Sequence, residues 1–121
     1  MTKQTLSYFG GKTRDEVMKE WVGNLRSGEY QQGQGFLHHS DSYCCLGVLC
    51  DMSVKDTEYE WKSGFIGPDS KVKHFEEHYV CPPDKMLDEL NISMKANKLM
   101  KMNDSGKTFS EIADYIEQYC I

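Results

Sequence analysis

Residues 36–52 read FLHHSDSYCCLGVLCDM. Within them, 44–50 (CCLGVLC) carries no polar side chain and holds three of the five cysteines. Cys, Leu and Val are among the residues most often fully buried. Burying each Leu or Val is worth roughly 1.5–3 kcal/mol relative to exposure. A run this short fits a buried strand or a buried helix. The flanks favour a helix over 42–53, with Ser40, Asp41 and Ser42 as sources of an N-cap oxygen. Cys45, Leu49 and Met52 then share one face. Gly47 costs that helix about 1 kcal/mol relative to Ala, but it leaves room for another backbone to come close. Just upstream, Phe36, Leu37, His38 and His39 read as extended, because Gly33 and Gly35 interrupt any helix. The local expectation is strand, polar turn, buried helix, with the rest of the chain folded around it.

Working toward the N-terminus, Thr13 and Glu16 have capping-box spacing and start a helix that runs to about Ser27. Val17, Trp21, Val22 and Leu25 form its apolar stripe, Trp21 is its core anchor, and Gly28 closes it. The first twelve residues, with Leu6 and Tyr8, suggest an edge strand or a mobile end. Between the helix and the central stretch lies EYQQGQ (29–34). Its Tyr and three Gln fit a polar network that holds a loop, with a contact surface as the alternative.

Toward the C-terminus, 54–81 is the least regular part. Tyr59, Trp61, Phe65 and Ile66 suggest one strand. Val72, His74, Phe75 and 78–80 suggest a second extended segment, with turns at Gly64 and at Gly67-Pro68. A small antiparallel hairpin or an excursion on the surface is expected. Pro82-Pro83 opens a short helix with Met86, Leu87 and Leu90 inward, ended by Asn91. Ser93 is expected to cap the next helix, whose residues include Met94, Asn97, Leu99, Met100 and Met102, before a break at 103–106. Thr108 and Glu111 repeat the capping box. The last helix then presents Phe109, Ile112, Ala113, Ile116 and Tyr119 on one side. Glu111, Asp114, Glu117 and Gln118 form a solvated acidic side. The expected fold is α+β, a mainly helical single domain over 1–121 with a small antiparallel hairpin or sheet.

A chain of 121 residues with 39% apolar content can bury one core without staples. No run is long enough to span a bilayer. The opening MTKQTLSYFGGKT has no signal-peptide core, so a cytoplasmic location is expected. Five cysteines in a reducing compartment read as free thiols. The formal net charge of −5 argues against nucleic-acid binding and is compatible with docking onto a basic partner.

Several motifs can be set aside. GKTFSEIADYI resembles the first helix of a helix-turn-helix, but no second helix follows within the 121 residues and its outer face is acidic, so no DNA reading is expected. Gly106-Lys107-Thr108 lacks the upstream glycine of a phosphate loop; Met102 stands there instead. Cys44, Cys45, Cys50, Cys81, His38 and His39 have zinc-binding atoms but not zinc spacing, so no metal and no cofactor are expected. Cysteines in an apolar run are poor nucleophiles, because desolvation raises the thiol pKa. No catalytic residue is assigned. Arg26, Tyr30, Gln31, Phe36, His38 and His39 remain as the candidate polar lining for a ligand or partner.

Residues 25–52, LRSGEYQQGQGFLHHSDSYCCLGVLCDM, resemble a signature of small tailed-bacteriophage and prophage proteins of uncharacterised role. The resemblance extends to the Pro82-Pro83 helix and to 99–117, LMKMNDSGKTFSEIADYIE, and leaves out 54–80. It carries no catalytic residues. It implies a phage accessory protein that binds a host component, such as a defence or takeover target, without catalysis. A host protein or a nucleotide-like small molecule is the expected partner. The alternatives are a binder or sponge for a nucleotide signal, and a small nucleotide- or nucleic-acid-acting enzyme that uses His38 or His39 as acid and base.

Overall fold

The computed structural model of the protein describes residues 6–63 and 71–121. The central apolar run becomes helix α2, Cys45–Asp56, and every residue from 45 to 53 is buried. Such a helix needs neighbours on all sides. Helix α1 (Arg14–Arg26) and helix α4 (Ala96–Asp104) both pack on it, and helix α5 (Phe109–Tyr119) packs on both of those. The Trp21 indole N–H donates to the Cys45 carbonyl at 2.9 Å, tying α1 to the first turn of α2. Both expected capping boxes are present, at Thr13/Glu16 and Thr108/Glu111.

α2 starts three residues later than the sequence suggests. Ser42 and Tyr43 are a strand, and Ser40 (φ +56°) and Asp41 make a turn, closed where the Ser42 hydroxyl donates to the His39 carbonyl. These side chains therefore serve a turn and not a helix cap. The Cys44 sulfur takes the cap position and accepts from the Gly47 N–H at 3.3 Å. Gly47 has the role its sequence context implies. A Cβ there would stand 1.8 Å from the Leu37 carbonyl oxygen, so the chain entering the sheet lies directly against the helix.

Among the described residues, five short strands form a mixed sheet: β1 (Gln31–Gln32), β2 (His38–His39), β3 (Ser42–Tyr43), β4 (Lys62–Ser63) and β5 (Val72–His74), in the order β1-β3-β2-β5-β4. β1 runs parallel to β3 and the other pairings are antiparallel. The expected hairpin exists as β4–β5, but it extends the β2–β3 pair rather than standing apart. Gly64, Phe65, Ile66, Gly67 and Pro68 lie outside the described residues. Beyond β5, Phe75 and His78 exchange backbone hydrogen bonds around Glu76 and Glu77.

The fold is α+β, as expected. Other expectations need correction. Residues 1–5 of the expected edge strand or mobile end lie outside the described residues; within it, Ser7–Phe9 is a 3-10 turn and not a strand, and Leu6, Tyr8 and Phe9 are buried. The Pro-led helix α3 is Asp84–Glu89, followed by Asn91 at φ +55°. Ser93 caps nothing. Residues 93–95 form a turn and α4 begins at Ala96 with no side-chain cap, which leaves Met94 92% exposed. Asn103 belongs to α4 instead of breaking it, and Tyr119 lies outside the apolar stripe at 54% exposure.

Candidate functional site

The 29–34 segment is held as a polar network centred on Asn103, which is fully buried. The Asn103 Oδ1 accepts from the Gln32 Nε2 at 2.9 Å and from the Cys45 N–H at 3.3 Å. Its Nδ2 donates to the Gly33 carbonyl at 2.7 Å. Gln32 also donates to the Lys107 carbonyl and accepts from the Phe109 N–H. Gln34 reaches the Asn103 carbonyl, and the Asp104 carboxylate accepts from the Gly35 N–H. The loop is thereby fastened to the end of α4 and the start of α5. This is the structural use that its composition suggested, and it leaves Gln31 exposed.

Adjoining this network, across the pairing of Gln32 with Tyr43, lies an aromatic wall. Tyr30 meets Tyr43 edge-on at 5.2 Å, and Tyr43 stacks on His38 at 4.1 Å. His38 meets Trp61 at 4.8 Å. Trp61 continues to Phe75, Phe75 to Tyr59, and Tyr59 stacks on Tyr8 at 5.1 Å. Behind the wall is Asp51, 7% exposed. A buried carboxylate needs donors. Asp51 accepts from the Tyr30 hydroxyl at 2.6 Å and the Trp61 indole at 3.0 Å, and it lies 3.5 Å from the Lys55 ammonium. Burial and then the Asp51 hydrogen bond raise the Tyr30 pKa. Burial pushes Tyr43 up to about 12, with Asp51 adding to it.

Of the six residues proposed as a lining, the structure gathers Tyr30 and His38 into this wall. Phe36 and His39 stack on each other at 6.0 Å nearby in sequence. Arg26 is not brought in. Its guanidinium contacts Asp114 and Glu117 on α5, each at 2.5 Å, so it clasps α1 to α5. The acidic side of α5 is thus solvated but also engaged. Sequence reasoning missed Asp51, Asn103 and Trp61 as organising residues. A lone Asp inside an apolar helix is itself a signal, since its burial demands partners.

The wall ends in a cleft of about 540 Å³ lined by Glu58, Tyr59, Glu60, Lys62, His74, Glu76 and Glu77. Glu76 (φ +47°) and Glu77 (φ +69°) both hold left-handed backbone. A two-residue hairpin turn of this kind favours Asn-Gly. Here it presents two glutamates, at a backbone cost of about 1 kcal/mol or more each. The Tyr8 hydroxyl donates to Glu76, and the Glu77 N–H donates to the His74 Nδ1 at 3.1 Å. Burial, followed by the charge of Glu76, raises the pKa of Tyr8 to about 12.

The thiols are shielded. Cys44, Cys45 and Cys50 are buried, and desolvation pushes Cys44 up to about 11 and the other two well above the ordinary thiol value. Among the described residues no group of three or more His, Cys, Asp or Glu is placed to hold a metal ion. Among them, too, no helix is long and apolar enough to cross a membrane.

A family model described as "Domain of unknown function (DUF8296)" matches residues 13–120. The chain belongs to this family. The DUF8296 match begins at Thr13, the cap of α1, and takes in the acidic cleft that the phage resemblance left out. No curated protein and no solved structure matches the chain.

Proposed function

We propose that this DUF8296 chain is a phage accessory protein that binds a host protein in the host cytoplasm, without catalysis. Its cleft takes a lysine- or arginine-bearing segment of that partner. The observation that carries this reading is the meeting of Glu58, Glu60, Glu76 and Glu77 beside the Tyr59 ring. Carboxylates and ring faces both attract ammonium and guanidinium groups. The two glutamates of the turn hold a backbone that other residues would adopt more easily, which fits a sequence kept for its side chains. The net charge of −5 draws a basic partner toward the molecule. The phage origin rests on the resemblance in 25–52 and 99–117. The buried thiols, with raised pKa values, support binding over nucleophilic chemistry.

The nucleotide readings have less support. Phosphate in this cleft would face four carboxylates against Lys62, and the Arg26 guanidinium is already shared between Asp114 and Glu117.

Fluorescence anisotropy with two labelled synthetic peptides of equal length, one rich in Lys and Arg and one rich in Glu and Asp, tests the proposal. The basic peptide should bind, weaken as salt rises, and be lost in the Glu76→Lys, Glu77→Lys double variant. Equal binding of both peptides, or binding indifferent to that charge reversal, would sink the reading.

A further inference from the structure

His38 is 5% exposed, and among the described residues its buried Nδ1 has no hydrogen-bond partner. It sits in β2, the middle strand, which joins the β1–β3 side of the sheet to the β5–β4 side. The ring lies nearly parallel to Tyr43, with 17° between planes, and meets Trp61 at 69°. Trp61 immediately precedes β4. Its contacts with His38, Phe75 and the Asp51 carboxylate hold that strand's entry against the sheet. From here, among the described residues, β4 pairs with β5 alone, Lys62 with His74 and Ser63 with Lys73.

We propose that His38 is a proton-operated catch: when its imidazole gains a proton, Trp61 leaves the ring and the β4–β5 end of the sheet loosens. Neutral imidazole needs one donor and one acceptor arrangement, whereas imidazolium carries two N–H donors. The added charge is buried and faces Lys73, its pairing partner on β5. From the other elements around it, Tyr43 on β3 offers a ring face, Asp51 on α2 a carboxylate already shared by Tyr30, Trp61 and Lys55, and Asp41 a charge on the exposed turn. Burial first and Lys73 second lower the His38 pKa, while the Ser40 backbone, Asp51 and Asp41 oppose them. The neutral ring is therefore the form the closed sheet selects, and acid opens the catch. Lys62 and His74 of the cleft belong to the strands that would loosen. The inference stands on the sheet alone, whatever partner the cleft takes.

The test is a series of ¹H–¹⁵N and ¹H–¹³C NMR spectra of the intact protein from about pH 7.5 to about 5, above the ordinary carboxylate range. Trp21, whose indole N–H is bonded to the Cys45 carbonyl in the core, is the internal control. The Trp61 indole signal should move with a midpoint below about 6.5. The His38 ring should share that midpoint, and Trp21 should stay still. In His38→Phe the Trp61 signal should be flat, and in Lys73→Gln the shared midpoint should rise. A Trp61 signal that is flat in the native protein overturns the proposal, as does one that keeps its midpoint in His38→Phe. Should His38→Phe not fold, the native protein decides alone: separate midpoints for His38 and Trp61 overturn the catch.

Discussion

Two single residues decide whether the centre of the molecule closes. Gly47 lies where the Leu37 carbonyl would stand 1.8 Å from any Cβ, and that carbonyl also accepts from the Cys44 N–H. Alanine improves helix propensity by about 1 kcal/mol, but the clash is with backbone and cannot be relieved by a rotamer change. Overpacking of this kind costs about 1–3 kcal/mol and sometimes more, so Gly47→Ala should lose about 3 kcal/mol of stability. Urea denaturation checks it, and an unchanged midpoint would mean that β2 does not lie against α2. Asn103→Ala is the polar counterpart. It strips partners from the Cys45 N–H, the Gly33 carbonyl and a Gln32 donor. Each buried group left unmatched costs about 1–3 kcal/mol, and a loss of about 2–4 kcal/mol is expected in the same measurement. Asn103→Asp sets a buried carboxylate oxygen against the Gly33 carbonyl and the Asp104 carboxylate, and should cost at least as much as Ala.

At the scale of elements, the 75–78 hairpin carries a prediction that separates binding from folding. Asn-Gly at 76–77 suits positive φ at both positions. The double variant Glu76→Asn, Glu77→Gly should therefore raise stability by about 1 kcal/mol, net of the lost Tyr8 contact. It should also weaken binding of the basic peptide. Higher thermal stability with binding intact would show that the glutamates are not what the partner reads.

The helices were the legible part of this chain. The capping boxes at Thr13 and Thr108, the Gly28 stop and the apolar stripe of α1 are local patterns, and local physics sets them. The central run was legible as buried, but its reading as a helix and not a strand rested on the flanking Ser40, Asp41 and Ser42. Its start was misplaced because Ser40, Asp41 and Ser42 suit a turn as well as a cap, and strand pairing with β1 and β2 decided between them. The site was mostly illegible. Tyr30, His38 and Trp61 meet across 31 residues of chain only because three separate strands and α2 converge. Arg26 read as a free cation because nothing local shows that α5 brings Asp114 and Glu117 beside it.

For the whole molecule, the thiols report on how tightly it closes. A buried thiol whose pKa is raised favours the neutral form in the fold, while the unfolded chain ionises at the ordinary value of 9.0. Unfolding therefore releases protons above that value. The stabilising contribution is complete below about pH 9 and drains away as pH climbs through about 11, the folded value for Cys44. For Cys44 alone the shift corresponds to about 2–3 kcal/mol, and Cys45 and Cys50 act in the same direction. Tyr8 and Tyr43, held near 12, extend the loss to higher pH. Urea midpoints should hold level from about pH 7 to 9 and then fall steeply. Kinetics give an independent readout. At pH 8 the Cys44 thiolate fraction is roughly one part in a thousand, so native alkylation should be slow and should begin at half-buried Cys81. The three cysteines at 44, 45 and 50 should react together, and only as fast as the protein unfolds. Mass spectrometry of timed iodoacetamide reactions, with and without urea, distinguishes the cases: rapid native labelling at any of those three positions would mean that the helix at the centre is reached by solvent, and the packing argued from Gly47, Trp21 and Asn103 would have to be abandoned.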